Sequence, residues 1–146
     1  MRKSLSMSIP FGAKIPFVDH LGFSLEKFEG GESELLFAPR PEHLNSFDVT
    51  HGGAVMTFLD VIMATAARSV DPEMGVVTIE MKTTFMRPAK VPAGQALVGK
   101  GHLQHRTRSM AFTEGRIYDT EGQLCATATG TFKYVSRRET PSPSTD

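Results

Sequence analysis

Asp60 is the residue of this sequence most able to do chemistry. It lies within NSFDVTHGGAVMTFLDVIMATAARSV, residues 45–70, with no Lys or Arg three or four positions away to form a helical ion pair. Apolar helical neighbours penalise the charged carboxylate, so a raised pKa or a hydrogen-bonded partner is expected, and either suits a base or nucleophile. His51-Gly52-Gly53 opens the same helix. The unpaired N–H groups of a helix's first turn and the positive end of its dipole favour an oxygen that is gaining negative charge. Gly53 N–H is read as that donor, since glycine leaves room for a carbonyl to approach. A carboxylate and an oxyanion donor together suit hydrolysis of an activated carbonyl.

A plainer arrangement fits the periodicity as well. Thr57, Asp60, Thr65 and Arg68 could form a solvated stripe, and His51-Gly52-Gly53 could be a helix entry capped by Thr50 or Asp48. Thr78 and Glu80 read as ordinary strand residues, with Glu80 the reserve candidate for an acid. His102 and His105 point to different faces of a strand or turn, and no Cys or carboxylate cluster completes a ligand set, so no metal is expected. Arg87, Lys90, Arg106 and Arg108 fall in or near loops, where they are solvated or form a local patch for a phosphorylated ligand.

The helix that carries Asp60 must be covered on most sides. Val55, Leu59, Ile62, Met63, Ala66 and Val70 recur at helical spacing, and Phe58, Val61 and Ala67 widen the apolar surface. Before it, PFVDHLGF predicts a short helical turn, and Phe23 and Leu25 begin a strand that Gly30-Gly31 reverses into ESELLFAP. After Asp71-Pro72 the period becomes two. VVTIEMKTTF is a long strand with Val77, Ile79, Met81, Thr83 and Phe85 on one face, followed by QALVGKGHLQ, SMAFTEGRIYD and QLCATATGTFKYV. The later strands lack helical crossovers, which excludes a parallel sheet. The expected fold is α+β, an antiparallel β-sheet wrapped around one long central α-helix. Its open edges predict a symmetric dimer at least.

The chain has 146 residues and reads as one domain over 15–135, with a flexible N-terminus at 1–14 and a Pro/Ser-rich C-terminal tail at 136–146. Sixteen basic and sixteen acidic residues leave no net field to draw nucleic acid or an acidic membrane. A single cysteine, no signal-peptide core and no apolar run of membrane-spanning length predict a soluble, cytoplasmic protein.

The wrapped helix together with HLNSFDVTHGGAVMTFLDVIMATA resembles the hotdog-fold acyl-CoA thioesterases, most closely their PaaI-like, phenylacetate-pathway branch. The resemblance spans about Leu21 to Val135. Its most specific part is Asn45 six positions before His51, with Asp60 nine positions after. VVTIEMKTTFMRPAK is similar to the family's long strand and following loop, and RSMAFTEGRIYDTEGQLCATATGTF to its closing hairpin. The resemblance implies acyl-CoA hydrolysis in a homodimer or dimer of dimers, with Asn45, His51 and Gly53 of one subunit facing Asp60 and Thr78 of the other. Asp60 would activate water or attack the carbonyl, Gly53 N–H polarise it, Asn45 orient the water or carboxylate, Thr78 hold the water and His51 shape the loop. Lys90 would lie in the loop that meets the coenzyme. No cofactor is implied, because coenzyme A is part of the substrate. Asp48 stands where the family usually has Gly. The alternatives are a non-catalytic acyl-CoA binding module and a hotdog hydratase or dehydratase. Phe11, Phe17, Phe47 and Phe58 suit an acyl pocket or a core, which leaves aromatic and aliphatic acyl groups both open.

Overall fold

A computed structural model describes residues 8–137. A short helix α1 (Pro16–Leu21) leads into the hairpin β1 (Ser24–Glu29) and β2 (Glu32–Phe37). The long helix α2 (Gly52–Arg68) follows, then β3 (Met74–Phe85), β4 (Leu97–Arg106), β5 (Met110–Tyr118) and β6 (Leu124–Ser136). The six strands form one antiparallel sheet in the order β1-β2-β4-β5-β6-β3. This is the expected hairpin, helix and four-stranded run, curled around α2.

Val55, Phe58, Leu59, Ile62, Met63, Ala66 and Ala67 of α2 are buried against Leu25, Leu35, Phe37, Leu97, Ile117 and Phe132 of the sheet. Each large side chain in that layer contributes about 1.5–3 kcal/mol by leaving water. The helix sits unusually close to the middle strands. A Cβ on Gly101 would lie 2.6 Å from the carbonyl oxygen of Ile62, and one on Gly99 would collide with the Ile62 side chain. Ser33 Oγ donates to the same Ile62 carbonyl at 2.8 Å, and Tyr134 OH donates to Ala67 O at 2.7 Å. Helix and sheet are thus joined by polar contacts as well as packing.

Three sequence expectations shift. Helix α2 ends at Arg68, so Val70 lies beyond it and is exposed. Residues 8–14, expected to fray, follow the hairpin: Ile9 N–H donates to Leu25 O at 2.7 Å, and Phe11 O accepts from the buried Arg68 at 3.1 Å. Residues 1–7 and 138–146 of the expected flexible ends lie outside the described residues.

The third shift concerns β3. Its pairing with β6 runs from Thr78↔Phe132 to Glu80↔Thr131, leaving Ile79 as an extra residue. This bulge interrupts the alternation read from the sequence. Val76 and Met81 pack on the core, whereas Val77 and Ile79 are 47% and 54% exposed. At the end of the sheet, β3 has β6 as its one neighbour and an open edge on its other side.

Candidate active site

The turn before α2 is built from its own side chains. Asn45 Oδ1 accepts from the N–H groups of Phe47 at 2.8 Å and Val49 at 3.2 Å, which folds residues 45–49 into a tight loop. Asp48 closes that loop at φ 60°, in the left-handed region. The position where glycine was expected by resemblance therefore does adopt a glycine-type backbone. Aspartate tolerates that conformation better than most residues, at some cost. Thr50 N–H and Oγ1 both donate to Ala89 O, and His51 N–H donates to His43 O at 2.8 Å. These bonds anchor the loop to the β3–β4 connection and to the 3-10 turn Pro41–His43.

The cap of α2 is neither Thr50 nor Asp48 but His51, whose Nδ1 accepts from Gly53 N–H at 2.8 Å. That bond requires the ring proton on Nε2. It also corrects the expectation of a free Gly53 N–H. Ala54 and Val55 N–H groups donate to His51 O. Gly52 N–H has no acceptor among the described residues, and Gly52 lines a pocket of about 510 Å³ together with Asn45, Phe47, Phe85, Arg87 and Cys125. The available donor in the first turn is therefore Gly52. The cap is what conceals this in the sequence, because histidine is an uncommon N-cap.

Asp60 lies two turns further along, half-buried and without an ion-pair partner among the described residues. Thr78 Oγ1 donates to its Oδ1 at 2.6 Å. Burial raises the carboxyl pKa above its ordinary value, and the Thr78 bond partly opposes that by favouring the anion. The solvated-stripe reading does not describe this group. Asp60 borders a second pocket of about 360 Å³, walled by Ile15, Phe17, Val18, Met56 and Met81.

The structure thus bonds Asp60, which borders one pocket, to Thr78, and places Asn45 and Gly52 in the lining of another, with His51 bonded to Gly53 beside it. Gly52 and Asp60 are eight positions apart on the helix, about 12 Å along the axis. Glu80 is exposed on the bulged strand. Arg87 lines the Asn45 pocket, and Lys90 lines a neighbouring hollow with Arg40 and Asp48. Arg106 and Arg108 do not join them. Arg106 pairs with Asp71 at 3.8 Å, beyond the far end of α2, and lies 4.2 Å over the Tyr134 ring. Its guanidinium also reaches the main-chain oxygens of Thr107 and Arg108 in the β4–β5 turn. His102 pairs with Glu32, and the described residues contain no group of three His, Cys, Asp or Glu placed to hold a metal. No described helix is long and apolar enough to cross a membrane.

His43 was missed by sequence reasoning. It is buried, its Nδ1 accepts Arg40 N–H at 2.9 Å, and its carbonyl holds His51. Burial lowers its pKa below the ordinary imidazole value. Spacing gives no signal for it, because its partners come from the turn's fold.

Residues 47–126 match the thioesterase superfamily model. A Saccharolobus solfataricus protein that carries an esterase name is 32% identical over 122 residues, covering 84% of this chain and 78% of its own. Acyl-coenzyme A thioesterase 13 of Mus musculus is 29% identical over 86 residues, 58% of this chain and 60% of that one. The E. coli PaaI protein from the phenylacetic acid degradation operon superposes with a TM-score of 0.75 at 19% identity, covering 82% of this chain and 84% of that one. With the wrapped helix, the capped His-Gly-Gly turn and the half-buried carboxylate, these matches show that the chain belongs to the thioesterase superfamily, as a thioester hydrolase of hotdog fold.

Proposed function

We propose that this protein hydrolyses acyl-CoA thioesters as a homodimer, with Asp60 of one subunit opposed to Asn45 and Gly52 of the partner subunit. The observation that carries the reading is Asp60 itself: a half-buried carboxylate, free of cations, held at one oxygen by Thr78. The likeness to a mammalian acyl-coenzyme A thioesterase supports the substrate class. Two features support the dimer. Asp60 and Gly52 belong to different pockets of one chain, and β3 leaves an open edge beside exposed Val77 and Ile79.

In this mechanism Thr78 fixes Oδ1 of Asp60 and leaves Oδ2 to take a proton from water. The water oxygen attacks the thioester carbon, and the resulting oxyanion is held by Gly52 N–H at the positive end of α2. Collapse breaks the C–S bond, and the proton on Asp60 passes to the departing thiolate, which gives free acid and coenzyme A thiol. His51 keeps Gly53 N–H occupied and so fixes the first turn. Asn45 shapes the loop through Oδ1, which leaves its amide N–H groups to orient the carbonyl or the water. Arg87 and Lys90 attract the coenzyme phosphates. Arg106 and Arg108 have no part in this assignment.

A single turnover in ¹⁸O-water tests for nucleophilic attack by Asp60. The general-base route places the label in the released acid; label recovered in the Asp60 side chain would establish nucleophilic attack instead. Failure to release thiol from any acyl-CoA would overturn the substrate assignment.

A further inference from the structure

His43 is 5% exposed in the turn that precedes the 45–51 loop, with the Phe37 ring 5.4 Å away and His20 of α1 edge-on at 6.4 Å. Its hydrogen bonds run in two directions. Toward the turn, Arg40 N–H donates to its Nδ1 at 2.9 Å and its own N–H donates to Arg40 O at 2.8 Å, a reciprocal pair that closes residues 40–43. Toward the site, its carbonyl accepts from His51 N–H at 2.8 Å. An imidazole that accepts at Nδ1 carries its proton on Nε2 and is uncharged. Burial, and then Arg40 beside the ring, lower the pKa and favour that form.

Packing alone does not account for histidine here. Its Nε2–H is buried without an acceptor among the described residues, a cost that leucine, of similar volume, avoids. What leucine lacks is the Nδ1 acceptor. The consequence of that acceptor lies eight residues on, in the peptide that joins His51 to Gly52 and carries Gly52 N–H. His51 is held at its ring by Gly53 N–H, at its carbonyl by Ala54 and Val55 N–H, and at its own N–H by His43 O. Of these, the His43 bond is the one that comes from outside the helix and its cap. Thr50, bonded to Ala89 O, anchors the residue before.

We infer that His43 is a positioning residue for the reaction: its bond from Arg40 N–H fixes the carbonyl that holds His51, and through His51 it aims Gly52 N–H at the thioester oxygen. The inference rests on the proposal that Gly52 N–H is the oxyanion donor. His43 touches no substrate and moves no proton. A donor stabilises the developing oxyanion only at hydrogen-bond distance, so a shift of the 51–52 peptide slows the chemical step and leaves ground-state binding largely unchanged.

The test pairs His43→Asn, whose Oδ1 replaces Nδ1 as acceptor, with His43→Leu, which fills the site and offers none. Full-length proteins are assayed by thiol release from acetyl-, hexanoyl- and phenylacetyl-CoA. His43→Leu should lower kcat about tenfold, short of the roughly 10²–10³-fold loss of a whole oxyanion donor, and change KM less than about twofold. His43→Asn should recover most of kcat. Gly52→Pro deletes the N–H itself, at the first helical position, where proline fits, and after His51 at φ −60° and ψ 139°, which suits a residue before proline. That variant should lose about 10²–10³-fold in kcat, and adding His43→Leu to it should cost less than about threefold more, because both act on one donor. In the unaltered protein, imidazole ¹⁵N shifts should report the Nε2–H tautomer of His43, a readout that no variant's folding affects. An Nδ1–H tautomer, full kcat in His43→Leu, equal losses in the Asn and Leu variants, or losses that multiply in the double variant overturn the inference and leave the hydrolase reading standing. Full turnover in Gly52→Pro overturns the Gly52 assignment, and no thiol release from the unaltered protein overturns the hydrolase reading; either takes the inference with it.

Discussion

Thr78 Oγ1 donates a hydrogen bond to Asp60 Oδ1 at 2.6 Å, which joins the outermost strand of the sheet to the central helix. The bulge after Thr78 is what re-aims the strand at this point. One carboxylate oxygen is fixed, and the acid's position depends on the edge strand as well as on its own helix.

Replacing Asp60 by Asn should lower kcat/KM in thiol release by about 10²–10⁴-fold, the usual contribution of a positioned general base. The same change should raise the melting temperature at pH 7. The sign follows from linkage: the folded state binds the Asp60 proton more tightly than the unfolded state does. This group's contribution to stability therefore falls as pH rises from the unfolded value near 3.8 through the raised folded value, and is level above it. Removing the carboxylate relieves that cost at neutral pH and gains nothing below the unfolded value. A lower melting temperature at pH 7 would contradict the burial argument.

The pH dependence of turnover provides a separate check on Thr78. Asp60 must be ionised to act as a base, so the acid limb of kcat/KM should lie above the ordinary aspartate range. Thr78→Ala removes a bond that favours the anion, and the limb should move to still higher pH. Thr78→Ser should restore it. A limb that moves down or stays fixed in Thr78→Ala rejects the assigned contact.

Asp48 adopts φ 60°, which glycine accommodates without strain. Asp48→Gly should stabilise the protein by up to about 1 kcal/mol, and Asp48→Val should destabilise it by more, measured by urea unfolding. The reverse order would show that the aspartate side chain contributes more than its backbone strain costs.

The shared site predicts complementation. Asp60→Asn and Asn45→Ala proteins, each impaired alone, should regain about a quarter of wild-type turnover after subunit exchange in equal amounts, since half the dimers then carry one intact site. Ile79→Lys, at the exposed bulge, should shift sedimentation toward monomer and reduce activity in parallel. Monomers with full activity would refute an intersubunit site.

Much of this fold is legible in the sequence because its periods are clean. The apolar repeat from Val55 to Ala66 gives the helix, Gly30-Gly31 gives the hairpin, and the change of period after Asp71-Pro72 gives the four later strands. Asp60 stands out because no helical neighbour can pair with it. Three features escape the same reading for physical reasons. Which first-turn glycine keeps a free N–H depends on the His51 ring, and a ring orientation has no period. The β3 bulge shifts Val77 out of the core register, and a single extra residue leaves no composition signal. Arg106 reads as a loop cation, yet Asp71 and Tyr134, both distant in sequence, engage it.

The close contact of Ile62 with Gly99 and Gly101 bears on how this enzyme can diversify. With the Ile62 carbonyl close against Gly101 on that side, any side chain added at those glycines would push the helix and its acid away from the sheet. New substrate preferences must then arise at α1, the 45–50 loop and the β3–β4 connection, which meet the pockets through exchangeable side chains. A library directed at those three segments should yield altered selectivity, whereas one directed at the glycines should yield mostly unfolded protein.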